Sequence, residues 1–162
     1  IGLASEQLPK GFREAVIWKP QGIAFSQPEF DEILQACDLN FVRGEDSFVR
    51  AHWASAGPWR VPFVWQPYRQ QEGAHATKLA AWLSRVCADP RTTPLADLHW
   101  AWNALPVNGR YLDLRLAWED LVVDYQGVSG ALHRACLALA AKPGLEDQLI
   151  GLRGQEKGLR KG

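Results

Sequence analysis

The chain has 162 residues, about one domain's length, and its 47% hydrophobic and 22% charged residues are ordinary for a folded protein and exclude a disordered one. Its 18 basic and 18 acidic residues balance to a net charge of 0, which argues against a domain built to coat phosphate backbones. No apolar run reaches the ~20 residues that cross a bilayer.

No secretory apolar region follows Ile1, and the absence of an initiating Met is read as a start that was cut, processed or excised. Cys37, Cys87 and Cys136 are odd in number and fall on apolar helical stripes. They are expected to be buried free thiols in a reducing, cytoplasmic setting.

In chain order, residues 14–19 read as a strand, Pro20-Gln21-Gly22 as a turn and residues 23–25 as the partner strand of a hairpin. Ser26 and Glu29 form a capping-box pattern, with Pro28 tolerated in the first turn. Phe30, Ile33, Leu34 and Cys37 then share one helical face, and this helix is expected to end near 38–40. Residues 47–53 alternate and read as a strand, with Val49, Ala51 and Trp53 on one face and Phe48, Arg50 and His52 on the other. Residues 60–66 alternate too, and Pro62 sends that strand to an edge or a bulge. Residues 73–88 read as a helix with Leu79, Leu83, Val86 and Cys87 inward.

After Pro90-Arg91-Thr92-Thr93-Pro94 helical spacing takes over. Thr93-Pro94 reads as a helix start, and Leu95, Leu98, Trp102 and Leu105 follow. For residues 94–125 a hairpin around Asn108-Gly109 is the rival to two helices, and the helices are favoured. Ser129 is expected to cap a helix running to Ala141, stopped at Pro143-Gly144, with a short helix over 145–152. The expected fold is therefore α+β. An N-terminal ββαββα half carries a four-stranded, mostly antiparallel sheet, and the C-terminal half is mostly helical. Residues 1–150 are read as one domain with a sub-boundary near 90–94, and the basic, Gly-rich residues 151–162 as a flexible tail.

Motifs with chemistry are absent. The chain has no phosphate-binding Gly-rich fingerprint, no Cys-x-x-Cys, no His-Glu-x-x-His and no Gly-x-Ser-x-Gly. No metal or cofactor is expected. Asp97 and His99 could pair only on a strand, and Glu119, Asp120 and Asp124 read as solvated helix surface. His75-Ala76-Thr77 resembles half of a paired His-x-Thr phosphoesterase site whose other half is missing.

One surface stands out. Between His52 and Arg69 lie Trp53, Trp59, Phe63, Trp65 and Tyr68, interleaved with Arg60. Strand alternation would bury Trp53, Phe63 and Trp65. It would leave Phe48, Arg50, His52, Trp59, Arg60, Tyr68 and Arg69 as an aromatic and basic face, rich in the side chains that dominate protein interfaces. The expected function is a protein-interaction module that is not an enzyme: an adaptor, inhibitor or subunit of a larger assembly. One alternative is a nucleic-acid-binding accessory domain, stacking bases on these aromatics and holding phosphates with Arg153, Lys157, Arg160 and Lys161. The other is an enzyme or small-ligand binder without a local motif, with His52 or His99 beside a carboxylate.

Overall fold

The computed structural model describes residues 24–142. Two parallel strands lie among six helices: α1 (Gln27–Ala36), β1 (Asn40–Arg43), α2 (Glu45–Ala56), β2 (Phe63–Gln66), α3 (Ala74–Val86), α4 (Thr93–Trp102), α5 (Leu114–Val123) and α6 (Tyr125–Ala140). Among the described residues the expected four-stranded, mostly antiparallel sheet does not form. β1 and β2 make a two-stranded parallel sheet, in register from Asn40 opposite Phe63 to Arg43 opposite Gln66. The helix between them, α2, makes the unit a β-α-β crossover.

The error lies mainly in residues 47–53. Seven residues of alternation also fit a helix, because Phe48, Ala51 and Ser55 recur at helical spacing. In the structure Ala51, Ala54 and Ser55 are buried, while Val49 and Trp53 face outward. Glu45 and Asp46 occupy the first turn, where carboxylates complement the positive helix end. β2 is an edge of this two-stranded sheet, but a covered one. Phe63, Val64 and Trp65 are all buried, the continuous apolar run of a parallel strand covered on both faces. Pro62 sits just before the strand, where its missing N–H removes no ladder bond, and its carbonyl accepts from the Asn40 amide at 3.1 Å.

Other local expectations hold. Ser26 caps α1 with the reciprocal Glu29 contact, and the Glu29 carboxylate accepts from the Ser26 amide at 2.8 Å. α3 and α4 are helices where helical spacing placed them. The Asn108-Gly109 turn also exists: both residues have positive φ, and Val107 bridges Arg110. It closes one tight loop between α4 and α5 rather than pairing two strands. α6 begins at Tyr125, capped by Asp124, so Ser129 lies inside the helix and is not its cap. The hairpin expected at 14–25 falls outside the described residues except for Ala24 and Phe25, which are in no strand. The helix expected at 145–152 and the tail at 151–162 also lie outside them.

The core gathers around β2. α2 packs on α6, α4 packs on α5 and β2, and α1 packs on α2. Phe48, Phe63, Trp65 and Trp82 form an aromatic cluster, with Phe48 stacked on Trp65 at 4.1 Å and Phe63 on Trp82 at 5.1 Å. Full burial of side chains this large is worth roughly 1.5–3 kcal/mol each. This cluster fixes β2, and β2 in turn fixes what happens at its carboxyl end.

Candidate functional site: the carboxyl end of the strand pair

In open α/β units the carboxyl ends of parallel strands form the crevice where ligands settle. Here β1 ends in Arg43 and passes through Gly44 straight into α2. Gly44 has φ +82° and ψ −177°, a region essentially closed to residues with a side chain. The Tyr68 ring, just beyond β2, lies where a Cβ on Gly44 would stand, 2.5 Å from its Cε2. Two constraints therefore select glycine at this position: the backbone angle and the ring above it.

No side chain caps α2, so its first amides have no intrahelical partner and point out of the helix end with the positive pole of the dipole. Around them lies a cleft of about 380 Å³ lined by Arg43, Glu45, Asp46, Ser47, Arg50 and Tyr68 among others. The Arg43 guanidinium carbon stands 5.4 Å from the centre of the Tyr68 ring, within cation–π range. Arg50 is committed to Asp31 of α1, with both carboxylate oxygens within 2.7 Å. Glu45 meets Lys78 of α3 at 3.3 Å. The cleft therefore offers a guanidinium and helix-end amides for an anion, an aromatic ring for a flat group, and the Asp46 carboxylate and Ser47 hydroxyl for a ligand's hydroxyls.

The seven residues expected to form one face are divided. Tyr68 and Arg50 line this cleft, and Arg69 follows Tyr68 as an exposed residue. Phe48 belongs to the aromatic core. His52 is half-buried, with the Phe48 and Trp53 rings 6.4 and 6.3 Å away. Burial holds its imidazole below the usual histidine range. Trp59 and Arg60 lie before β2, at the amino end of the strand. Trp53, expected inside, is 58% exposed on α2. The residues that build the cleft, Arg43 to Ser47, were passed over in the sequence. Their signal is a Gly followed by two acids and a Ser at the foot of a short apolar segment, which fits a strand-to-helix junction but matches none of the usual phosphate fingerprints.

The weaker candidates dissolve. His99 is fully buried, and its Nδ1 donates to the Leu95 carbonyl at 2.8 Å rather than to a carboxylate. Glu119 pairs with Arg115, and Asp124 caps α6. Among the described residues no three His, Cys, Asp or Glu side chains gather to hold a metal ion. Cys136 is buried and Cys37 and Cys87 half-buried. Burial pushes the Cys87 thiol up to about 11 and the Cys136 thiol up to about 12, so both are protonated, poor nucleophiles at neutral pH. No described helix is long and apolar enough to cross a membrane.

Known proteins resemble this chain. A "Protein-arginine rhamnosyltransferase" of Pseudomonas aeruginosa is 43% identical over 96 residues, which is 59% of this chain and 23% of that protein. Proteins of the same name from Pseudomonas putida (46% over 81 residues, 48% and 20%) and Shewanella oneidensis (37% over 95 residues, 59% and 22%) also match. The chain thus spans about a quarter of the length of these relatives or slightly less. A solved structure described as "Structural basis for EarP-mediated arginine glycosylation of translation elongation factor EF-P" is 30% identical with a TM-score of 0.58, over 82% of this chain and 39% of that one. These findings overturn the expectation of a non-enzymatic adaptor, inhibitor or nucleic-acid-binding accessory domain, because every one of these relatives is named as a glycosyl-transferring enzyme. The family model described as "Elongation-Factor P (EF-P) rhamnosyltransferase EarP" matches residues 22–153, which takes in every described helix and strand, and the chain belongs to that family.

Proposed function

We propose that this chain is the part of a protein-arginine rhamnosyltransferase that holds the activated sugar donor. In transfer of rhamnose to an arginine, the guanidine nitrogen forms a bond to the sugar carbon and gives up a proton to a base, while the bond from that carbon to its leaving group breaks and the group departs with the electron pair. In activated sugars it is a phosphate or diphosphate, so negative charge grows on its oxygens as the bond breaks. Arg43 and the first-turn amides of α2 supply fixed positive charge at one place, and preorganised charge of this kind favours the departing anion over the bound ground state. Tyr68 offers a ring for the flat or apolar part of the donor, and Asp46 and Ser47 offer partners for its hydroxyls. The observation that carries this reading is the uncapped start of α2 beside Arg43, at the carboxyl ends of two parallel strands.

The relatives' names make the acceptor a protein, and elongation factor P is the acceptor this chain would serve. Trp59, which is 68% exposed, with Arg60 stays our candidate for a protein contact outside the cleft. Residues 1–150 remain our proposal for the extent of the domain.

Replacing Arg43 by Ala in the full-length transferase tests the donor reading. A charge-assisted contact is worth about 1.5–3 kcal/mol, so donor affinity should fall roughly ten- to hundredfold, with the folded state retained. Isothermal titration with a nucleoside-diphosphate rhamnose reads the change. Undiminished affinity in Arg43→Ala would remove the assignment.

A further inference from the structure

We infer that Arg50 is a positioning residue: by holding Asp31 it fixes α1, one wall of the cleft, against the start of α2, the other wall. The inference rests on the reading of the cleft as the donor's seat, and deepens it.

The two walls come from different elements. One is the β1–α2 junction with Tyr68, and the other is α1, which brings Gln27 and Phe30. How far apart they stand depends on how α1 is fastened. Its C-terminal half is secured twice. Leu34 is buried, and the Leu34 carbonyl accepts from Asn40 Nδ2 at 2.7 Å, in a buried contact. The half beside the cleft is held less firmly. Its cap, Ser26 with Glu29, is an exposed contact within the helix start itself, and Phe30 is only partly buried. The charged contact that crosses from this half to another element is made by Arg50 of α2. Its Nη1 stands 2.6 and 2.7 Å from the two oxygens of Asp31 and 3.5 Å from the Gln27 carbonyl.

From Leu34 back to Gln27 the helix rises about 10 Å. A tilt of about 10° around the secured end would carry Gln27 through about 2 Å, well beyond the tolerance of a hydrogen bond. A partly exposed ion pair such as this one adds little to global stability, so its larger consequence is geometric. A wall already in place costs nothing to order when the donor arrives.

The two partners of the pair are placed differently, and that separates positioning from direct contact. Arg50 and Gln27 line the cleft and also a second, open groove of about 620 Å³. Asp31 lines only the groove, with Gln35 and Trp53. Asp31 therefore reaches the cleft through Arg50 and α1.

In the full-length transferase, donor affinity is measured by calorimetry with a nucleoside-diphosphate rhamnose, and the KM for the acceptor protein by a transfer assay at saturating donor. Arg50→Met and Asp31→Asn should each weaken donor binding about fivefold, the order of one partly exposed ion pair. The double variant should be no weaker than either single one, because the two side chains act as one unit. Arg50→Lys should recover most of the affinity, since a single nitrogen makes the contact and a point charge can replace it. The acceptor KM should stay at the wild-type value, and Trp53→Ala should bind donor as wild type does. Unchanged donor binding in Asp31→Asn, or additive losses in the double variant, would make Arg50 at most a direct contact and overturn the positioning role. An equal loss in Trp53→Ala would overturn it too, because the donor would then occupy the groove and touch Asp31 itself. So would a matching rise in acceptor KM, the mark of a general loosening. Absence of donor binding in wild type, or indifference to Arg43→Ala, would bring down the donor reading and the inference with it.

Discussion

The two ends of β2 are built on opposite plans. At the amino end the chain is closed: Arg60, held at φ +56°, has its carbonyl bonded by the Ser129 hydroxyl of α6 at 2.6 Å. Nearby, His133 of the same helix donates from Nδ1 to the Ser55 carbonyl at 2.9 Å. At the carboxyl end the turn is held from behind, by Trp65 and Gln66, and its front is left open with Arg43, Tyr68 and the start of α2. Buried backbone groups are nearly always paired, so an end whose donors face outward unpaired is where an anionic ligand gains most. Both ends are tied by structural hydrogen bonds, and on the reading proposed above only the carboxyl end keeps donors for a ligand.

The sharpest test of that contrast is Gly44→Ala. A methyl group there meets the Tyr68 ring and places an alanine in a glycine-only backbone region. A backbone forced into such a region costs about 1–3 kcal/mol, and the ring contact moves the expectation to about 3 kcal/mol of stability. Donor binding should fall below detection, because the α2 start can no longer be reached by the same path. Chemical denaturation and calorimetry read the two effects. A variant that binds normally would show that the open end does not depend on this turn.

A second test addresses the core beneath both ends. His99 lies among Leu95, Leu98 and Trp82, and burial lowers its pKa to about 4 against an ordinary 6.5, although the Leu95 carbonyl pulls the other way. Nδ1 carries the proton donated to Leu95, and Nε2 is buried without a partner. The unfolded chain therefore takes up a proton as pH falls through about 6.5, while the folded chain resists until about 4. Stability is full above the upper value and is lost between the two. From pH 7 to pH 5 the loss should be about 2 kcal/mol. His52, also depressed by burial, acts in the same direction, and the lowered Asp89 carboxyl, with a pKa of about 2, titrates below this window. Urea unfolding at both pH values measures the slope, and His99→Gln should flatten most of it. An unchanged slope in that variant would mean that another group carries the pH dependence.

How much of this was legible in the sequence follows from which signals are local. The capping box at Ser26 and Glu29 and the stripe of Leu79, Leu83 and Val86 are complete within one element, and both appear in the structure as expected. The Asn108-Gly109 turn was legible as a turn, but not what flanks it. Residues 47–53 failed because a short alternating window satisfies both periods, and the deciding contacts come from α6, some 75 residues later. The candidate site failed for a related reason. Tyr68 is next to Gly44 only because β1 and β2 pair in parallel, and no spacing in the chain announces that pairing. Trp and Arg richness between residues 52 and 69 was visible, but the strand separates Trp59 and Arg60 from Tyr68 and Arg69, so one run of sequence became two surfaces.

The smallest expected effect separates the two ends most cleanly. Ser129→Ala deletes the hydroxyl that donates to the Arg60 carbonyl and leaves the helix otherwise unchanged, because alanine is a better helix former than serine. The bond is part-buried, and the loss of one neutral hydrogen bond should cost about 1 kcal/mol. The thermal midpoint should fall by a few degrees, as a change of this size does in a domain of this length, while donor affinity stays at the wild-type value. β2 connects the two ends, so a loss of affinity in Ser129→Ala would mean that strain released at Arg60 travels along the strand to Trp65 and the Gly44 turn. In that case the division of labour between the ends would be an allosteric link rather than a separation.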